Sequence, residues 1–335
     1  MYSGVDSRLP ERKCTSSLNQ RLINPQPNLL EAEFSIGICA ADHASNLREL
    51  LKILENEPYP KGLLLNKIVI VASGLDPQPL NFVREFANNH VGLVLIEEPF
   101  RQGKAEAINR IIDSFTGQFL VLVNSDAHPE RGAIAKLLTM ISSDSHVGVV
   151  SASPVVAECT GITGAVLQLV WGVHNECLLA LNERNKSNHC CDELIVIRSG
   201  ALRKLPNDVV NDGAFLAGRA YMDGYSIKFC DEAKVKIDVP RRYCDLLRQR
   251  RRIVYGHLQI LDSMGQSPRT IESMLADDPI LSISILIRTL VKSPRLVMVL
   301  PIAVIGEVIS VALAISDSLS STEKHVPWDR FGGRA

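Results

Sequence analysis

The sequence predicts an α/β fold in which helices cover both faces of a mixed, mostly parallel β-sheet. Short apolar, β-branched runs alternate with amphipathic segments of helical period over residues 34–240. A hydrophobic share of 46% and a charged share of 22% are typical of a globular protein, which excludes extensive disorder. Polar residues directly follow several apolar runs, at the strand ends where sheets of this kind bind their ligands.

The elements of this sheet follow one another in a regular order. Buried strands are expected where short apolar runs occur, at residues 34–40, 67–71, 91–96, 119–123, 147–151, 194–197, 227–230 and 233–239. Helices are expected where apolar residues recur on one face, at residues 46–57, 78–89, 103–114, 131–142, 163–183 and 212–224. Ser73 and Gly74 predict a turn after the second strand.

Charge, aromatic content and cysteine spacing exclude several classes of protein. The formal net charge of -1 and the aromatic share of 5% argue against nucleic-acid binding, which needs a basic surface or stacking platforms. None of the 8 Cys forms a CxxC motif, which favours a reducing compartment. Cys190 and Cys191 stand beside His189, but no second ligand pair at zinc spacing accompanies them. We therefore expect neither a nucleic-acid partner nor a zinc site.

Changes in composition divide the chain into consecutive segments. They are a polar N-terminal extension (1–33), the principal α/β domain (34–240), an arginine-rich interfacial segment (241–278), membrane-associated helices (279–316) and a polar tail (317–335). The extension lacks the apolar stretch of a signal peptide. We therefore expect the α/β domain on the cytoplasmic side of a membrane.

A long apolar run near the C-terminus predicts membrane association. Residues 296–315 hold one charged residue, Glu307, and as a helix they would reach about 30 Å, the thickness of bilayer hydrocarbon. Arg288, Lys292 and Arg295 precede the run, which fits a cytosolic start. A proline and a glycine inside it also allow a kinked or re-entrant helix, and a buried core helix is the alternative.

Two polar clusters suit an anionic ligand with a metal ion. Asn124, Ser125 and Asp126 follow a predicted strand, and a carboxylate there can hold Mg²⁺ or Mn²⁺ against a diphosphate. A turn or helix cap is the alternative for this cluster. Arg101 and Lys104 precede a predicted helix, whose free N–H groups and neighbouring lysine favour an anion. Ordinary loop and capping chemistry is the alternative there.

Two further clusters carry charge towards the end of the predicted sheet. Asn211 and Asp212 open a helix, where Asp212 could act as a general base for a hydroxyl group. A plain N-cap is the alternative for this pair. Residues 248–252 hold four arginines, a density that is unfavourable unless anions are close. Substrate phosphates or lipid headgroups would satisfy them, and a solvated basic face is the alternative.

In this order, the motifs resemble those of the family 2 glycosyltransferases of the GT-A fold, over residues 34–261. The segment from Arg101 to Asn109 resembles the family's R-x-G-K-x-x-A-x-N motif. Residues 124–126 resemble its DxD metal site, and Asn211 with Asp212 resembles its acidic base motif. Residues 249–253 resemble QxxRW, in a degenerate form. No single motif decides the resemblance; their order and spacing do.

The sequence also departs from the family pattern. Ala72 and Ser73 stand where the family has paired acids that contact the nucleoside. Asn124 replaces the first metal-site acid, and Ile253 replaces the QxxRW tryptophan. In the first loop, residues 41–43 lack the family's tyrosine and glutamate. A catalytically weak or inactive binding protein of the same fold is therefore one alternative, and a nucleotidyltransferase is another.

The resemblance implies an enzyme, a hexosyltransferase that moves a sugar from a nucleotide-diphosphate donor to an acceptor. The predicted membrane association suggests that the acceptor is close to the membrane, and a lipid-linked acceptor is one candidate. It implies inversion at the anomeric carbon and a Mg²⁺ or Mn²⁺ cofactor. Asp212 would be the catalytic base, and Asn124 and Asp126 would bind the metal. Donor binding is expected from Ala40, Asp42, Ser73, Arg101, Lys104, Ser125, Asp126, Gln249 and Arg252. The candidates for the acceptor side are Trp171, His174 and Asn211, and a core position is the favoured alternative for Trp171 and His174.

Overall fold

A computed structural model describes residues 32–42, 44–157 and 159–320. Most of the N-terminal extension, His43 of the first loop and the tail beyond residue 320 lie outside the described residues. The strands are β1 (Ala32–Asp42), β2 (Leu63–Leu75), β3 (Leu93–Glu98), β4 (Phe119–Asn124), β5 (His128–Pro129), β6 (Val147–Val156), β7 (Leu194–Arg198) and β8 (Ser226–Ile237). The first six helices are α1 (Leu47–Glu55), α2 (Pro77–Asn89), α3 (Lys104–Ser114), α4 (Ala133–Ser142), α5 (Gly161–Glu183) and α6 (Asp212–Met222).

Four further helices follow the sheet. They are α7 (Tyr243–Met264), α8 (Ile271–Asp277), α9 (Pro279–Lys292) and α10 (Leu300–Leu319). Short 3₁₀ turns at Ser199–Ala201 and Pro294–Val299 join β7 to its loop and α9 to α10. The division of the chain at residues 240, 278 and 316 stays a prediction.

The strands form one sheet in the order β3-β2-β1-β4-β7-β6-β8-β5. β1 pairs in parallel with β2 and β4, β2 with β3, and β6 with β8. β7 runs antiparallel to both β4 and β6, and β5 runs antiparallel to β8. The predicted mixed, mostly parallel sheet with flanking helices is confirmed.

Side chains alternate between the two faces of the sheet with the period of a β-strand. Ile68 and Ile70 of β2 join a core with α1, α2 and α4 on one face. Val69 and Val71 join a second core with α3 and α6 on the other face. Because both faces are covered, the strands read as continuous apolar runs, which made them detectable in the sequence.

The predicted turn at Ser73–Gly74 is wrong, because β2 continues through both residues to Leu75. Ser73 pairs with Glu98 of β3, so the ladder is still formed where the turn was expected. Gly74 has a φ of +61°, and the pairing with β1 shifts its register beside it. The glycine therefore forms a bulge within the strand, which re-aims the end of β2 without ending it.

The two last predicted strands, 227–230 and 233–239, form one strand, β8. Its parallel pairing with β6 shifts register between Ala152 and Ser153, opposite the polar residues that had separated the two runs.

Helix α10 packs closely along α7 through a stripe of small residues. Gly306, Ser310 and Ala314 recur every fourth position and are buried. A Cβ on Gly306 would collide with the hydroxyl of Tyr243. That hydroxyl donates a hydrogen bond to the carbonyl of Ile302 at 2.7 Å. The backbones of α7 and α10 therefore pack closely at Gly306.

Ion pairs also join these two helices. The Arg250 guanidinium of α7 contacts the Glu307 carboxylate at 2.9 Å, and Arg251 contacts Asp317 at 2.6 Å. Glu307, the single charge within the apolar run, is therefore paired with the protein rather than isolated.

The outer faces of α9 and α10 are apolar and exposed. Their exposed residues include Ile280, Ile283, Ile287, Val291, Val304, Ile305, Val308, Ile309, Leu313 and Ile315. Within the described part of the chain, the stretches Pro294–Leu319 and Gly161–Glu183 are long and apolar enough to cross a membrane. The second is α5, much of which packs in a core with α7, α8 and α9. Length and composition are weak support for membrane association on their own.

Candidate active site

A cavity of about 1260 Å³ opens at the carboxyl ends of β1, β2 and β4 and continues between α5 and α7. Nearly all of the predicted site residues line it: Ala40, Asp42, Ser73, Arg101, Lys104, Asn124, Asp126, Trp171, His174, Asn211, Asp212, Gln249 and Arg252. Ser125 is fully buried and does not line the cavity. The residues thus meet in one cleft, although they are spread over more than two hundred positions of the sequence. Their roles stay predictions.

Lys104 is the charged centre of this cavity. It is the first residue of α3, placed there by Gly103, whose φ of +105° turns the chain into the helix. The Lys104 ammonium lies 2.5 Å from a carboxylate oxygen of Asp192 and 2.8 Å from one of Asp212. Asp192 comes from the loop before β7 and Asp212 from the first turn of α6. Three distant segments are therefore joined at one ammonium group.

The two carboxylates differ in proton affinity. Burial raises the pKa of Asp212, and repulsion by Asp192 adds to this, although Lys104 opposes the shift. Burial acts in the same direction on Asp192, but attraction by Lys104 outweighs it and lowers the pKa of that carboxyl. Burial opposes the charge of Lys104, yet both carboxylates raise its pKa well above the ordinary value. Asp212 is accordingly the better proton acceptor of the pair.

Asn211 caps helix α6. Its side-chain oxygen accepts a hydrogen bond from the backbone N–H of Ala214 at 3.1 Å. The N-cap alternative therefore applies to Asn211, whereas Asp212 turns its carboxylate towards Lys104. Gly213 follows, and a Cβ there would collide with Asp192, so the helix start lies directly against the Asp192 loop.

The loop before α3 is fixed against the end of β2. The Ser73 hydroxyl accepts a hydrogen bond from the Gln102 backbone N–H at 3.2 Å. A Cβ on Gly74 would come within 3.0 Å of the Arg101 backbone nitrogen. The Arg101 guanidinium pairs with Asp42 at 2.7 Å, across the end of β1. These contacts bring Arg101, Asp42 and Ser73 to the same mouth of the cavity.

The predicted metal position lies at the end of β4. The Asn124 carboxamide donates a hydrogen bond to Glu193 at 2.8 Å, and Asp126 lines the cavity beside it. Burial raises the pKa of Glu193 to about 8, and repulsion by Asp192 and Asp126 contributes. Among the described residues, no group of three His, Cys, Asp or Glu side chains is placed to hold a metal ion.

The donors at this position fit a cation that is shared with substrate. Asn124 and Asp126 offer oxygen ligands, which Mg²⁺ and Mn²⁺ prefer. Magnesium in particular is commonly bound by one or two carboxylates together with substrate phosphates. The pair therefore suits a metal completed by a diphosphate, not one held by the protein alone.

Helix α7 contributes residues to the cavity and to the contact with α10. Gln249 and Arg252 line the cavity, and the Arg252 guanidinium donates to the carbonyl of Val210 at 3.0 Å. Arg250, which also lines the cavity, and Arg251 make the ion pairs with α10. The arginine cluster therefore contributes to the site and to helix packing, and only Arg248, with a side chain 74% exposed, is mainly solvated.

A profile of glycosyl transferase family 2 matches residues 35–205, just over half of the chain. The match ends beyond β7 and so covers the strands that carry the mouth of the cavity. The chain belongs to this family. It is a glycosyltransferase with the GT-A fold, as the resemblance implied.

Solved structures with similar folds include several glycosyltransferases. The mannosyltransferase PcManGT from Pyrobaculum calidifontis, in complex with GDP-Man and Mn²⁺, superimposes with a TM-score of 0.58 at 19% identity, over 90% of this chain and 92% of that one. S. aureus TarS gives a TM-score of 0.46 at 17% identity, over 68% of this chain and 40% of that one. GalNAc-T7 with UDP, GalNAc and Mn²⁺ gives 0.48 at 12% identity, over 68% and 50%. No curated protein sequence matches significantly.

Sequence reasoning missed several residues of this glycosyltransferase's cavity, among them two acids and two histidines. Asp192 and Glu193 lie just before β7, and His189 and His257 line the inner end. Their position immediately ahead of an apolar strand was the available signal for the two acids. His257 carried no signal, because only the packing of α7 on α5 brings it to the cavity.

Proposed function

We propose that this family 2 glycosyltransferase moves a sugar from a nucleotide-diphosphate donor to an acceptor at a membrane surface, with inversion. The observation that carries the proposal is the cluster of Lys104 with Asp192 and Asp212 in the same cavity as Asp126 and Arg252. The cluster places positive groups for a leaving diphosphate next to a carboxylate with raised proton affinity.

The donor would occupy the mouth of the cavity. Ala40, Asp42 and Ser73 stand at the ends of β1 and β2, where the nucleoside of a donor would lie. Arg101 would break its ion pair with Asp42 or keep it while it also contacts the diphosphate. Together with Arg252, it would neutralise the charge of the diphosphate. These side chains bind and orient the donor so that its anomeric carbon faces the Lys104 cluster.

A Mg²⁺ or Mn²⁺ ion would be held by Asn124 and Asp126 together with the donor. When bound, such an ion supplies positive charge to the departing diphosphate. The hydrogen bond from Asn124 to Glu193 orients the carboxamide for this position.

Asp212 would take the proton of the attacking acceptor hydroxyl. Its pKa is raised by burial, which brings it closer to the value a general base needs. Lys104 holds the carboxylate at 2.8 Å and keeps it ionised until the hydroxyl arrives. A single displacement by a hydroxyl opposite the leaving group inverts the anomeric centre.

The membrane would meet the exposed faces of α9 and α10. These faces carry large apolar side chains, whereas the opposite side of α10 is ion-paired to α7. Arg288 and Lys292 belong to the last turns of α9, and Arg295 belongs to the 3₁₀ turn before α10; there they would meet anionic headgroups on a cytoplasmic leaflet. A helix bound on one side to the domain suits attachment in the plane of the interface, near a lipid-linked acceptor.

Product analysis with purified protein, lipid vesicles and a panel of nucleotide sugars tests the proposal. We expect release of a nucleoside diphosphate, dependence on Mg²⁺ or Mn²⁺, and loss of at least about a hundredfold in rate for Asp126→Ala. The exposed Glu85→Gln variant on α2 is the control and should keep the wild-type rate. Release of pyrophosphate would indicate a nucleotidyltransferase, and absence of turnover with every donor would indicate a binding protein.

A further inference from the structure

Three histidines from separate elements form a row along the inner wall of the cavity. His174 belongs to α5, His189 to the loop before β7, and His257 to α7. Their ring centroids are 5.6 Å and 5.3 Å apart, with interplanar angles of 83° and 80°. Trp171 continues the row, 5.3 Å from His174. We call these four residues the imidazole row.

Each histidine of the row has a buried ring nitrogen without a hydrogen-bond partner among the described residues: Nε2 of His174, Nδ1 of His189 and Nε2 of His257. His189 is only 6% exposed as a residue. Buried polar atoms nearly always have a hydrogen-bond partner, because a buried atom without one has lost its hydrogen bonds to water and gained none in the protein. Because all three rings belong to residues that line the cavity, a ligand that enters between them could supply the missing partners.

The row is electrically neutral. Burial lowers the pKa of His174 to about 3 and that of His189 to about 4, and it lowers the pKa of His257 well below the ordinary value. Arg250, whose charge acts on all three rings, is already paired with Glu272 at 2.8 Å and with Glu307 at 2.9 Å. The row itself therefore offers no positive charge to an anionic phosphate.

A neutral imidazole suits a hydroxyl group. Each ring offers one donor and one acceptor nitrogen, and a hydroxyl can both donate and accept. Trp171 adds an aromatic surface of the kind that packs against an apolar sugar face. A metal ion is disfavoured because these rings meet edge to face, and no three ligating side chains converge among the residues described.

The row adjoins the catalytic cluster. Asp192, which holds Lys104, lies close enough for its charge to act on both His174 and His189. The Cys190 thiol beside His189 donates to the Gly213 carbonyl at 3.4 Å, which ties the row to the start of α6. The row and Asp212 therefore line the same cavity.

We propose that the imidazole row is the acceptor subsite and that it recognises an uncharged, hydroxyl-bearing sugar ring. This inference rests on the proposed function and narrows it: the acceptor is a glycoside, including one carried by a lipid, and the transferred sugar is added to a carbohydrate hydroxyl. A lipid phosphate that accepts the sugar on its phosphate oxygen is the competing acceptor class.

Acceptor competition with the purified full-length protein tests the inference. A panel of neutral alkyl glycosides and a polyprenyl phosphate are supplied separately, with the donor that the wild type turns over. We expect transfer to a glycoside and none to the phosphate. Transfer to the polyprenyl phosphate alone overturns the inference but leaves the proposed function intact, whereas no turnover with any acceptor contradicts the proposed function itself.

Variants of the row then separate recognition from folding. His257→Leu and His189→Leu should each raise the acceptor KM about tenfold, the effect of one lost hydrogen bond, and Gln at the same positions should restore part of it. Calorimetric titration of a nucleoside diphosphate with Mn²⁺ should give the wild-type affinity and so report correct folding. The exposed His146→Gln variant is the matched control. Equal acceptor KM values for the wild type and both Leu variants overturn the inference.

Discussion

Lys104 organises the active site because two carboxylates from different segments compete for its ammonium group. Asp192 is the more acidic partner, and Asp212 keeps the higher proton affinity. In the proposed mechanism, two chemically equal side chains have separate tasks: Asp192 positions the lysine and Asp212 accepts a proton. Environment rather than residue type sets this difference, as in other paired carboxylates.

The pH dependence of kcat/KM should report this pairing. Asp212 must be ionised to accept a proton, so activity should fall as the pH drops through a value above 3.8, the ordinary value for aspartate. Asp192→Asn removes a negative neighbour and lowers the pKa of Asp212, so the acid limb should move to lower pH. The surface variant Asp113→Asn should leave the limb in place. A limb that moves to higher pH in Asp192→Asn contradicts the assignment.

Helix α7 links the site to the C-terminal helices. Gln249, Arg250 and Arg252 line the cavity, and Arg250 and Arg251 form ion pairs with α10. Because these residues occupy consecutive positions on a rigid helix, the placement of α10 and the placement of the site arginine depend on each other. Close packing of the small-residue stripe on α7 sets the spacing between the helices.

Gly306→Ala tests this packing. The added methyl group would collide with the Tyr243 hydroxyl and push the helices apart, so the free energy of unfolding should fall by about 1–3 kcal/mol. Urea denaturation of the full chain in detergent measures the change. Ser316→Ala, on the exposed side of the same helix, should change stability by less than about 0.5 kcal/mol. An unchanged midpoint for Gly306→Ala would show that the two helices are not in contact.

At the level of the entire chain, the apolar faces of α9 and α10 differ from the faces of the sheet in their exposure. The sheet is covered by helices on both faces, whereas α9 and α10 leave many large apolar side chains exposed. Exposed apolar side chains in this number favour a partner that covers them, and in the proposed function that partner is a lipid surface.

Vesicle co-sedimentation measures this attachment. Val308→Asp places a charge on the exposed face of α10 and should weaken binding to anionic vesicles at least about tenfold, because a charge entering the interface is costly. Val91→Asp, which replaces an equally exposed valine at 64%, lies far from α10 in the sequence and serves as the matched control. Equal binding of the two variants contradicts attachment through this face.

The sequence predicted the sheet well because buried parallel strands are continuous apolar runs and their helices are amphipathic. It failed at Ser73 and Gly74, where turn residues form a bulge inside a strand. Asp126, Lys104, Arg252 and Asp212 could be named in advance through family motifs, and they line one cavity. His189 and His257 could not be assigned to the site, because tertiary packing brings them there, and the only signal for Asp192 was its position ahead of an apolar strand. The partner of Glu307, Arg250, was likewise visible only once α10 lay on α7.

Single-turnover kinetics of Asp212→Asn, compared with Asp212→Glu, examine whether the Lys104 cluster performs the transfer. The donor is bound to the enzyme first, and the acceptor is then added in excess. We expect Asp212→Asn to slow sugar transfer by at least about a hundredfold, because an amide cannot accept the hydroxyl proton. Its affinity for the donor should stay within about threefold of the wild-type value. Asp212→Glu, which keeps a carboxylate beside Lys104, should retain more of the rate. Transfer by Asp212→Asn at the wild-type rate would contradict the proposed mechanism.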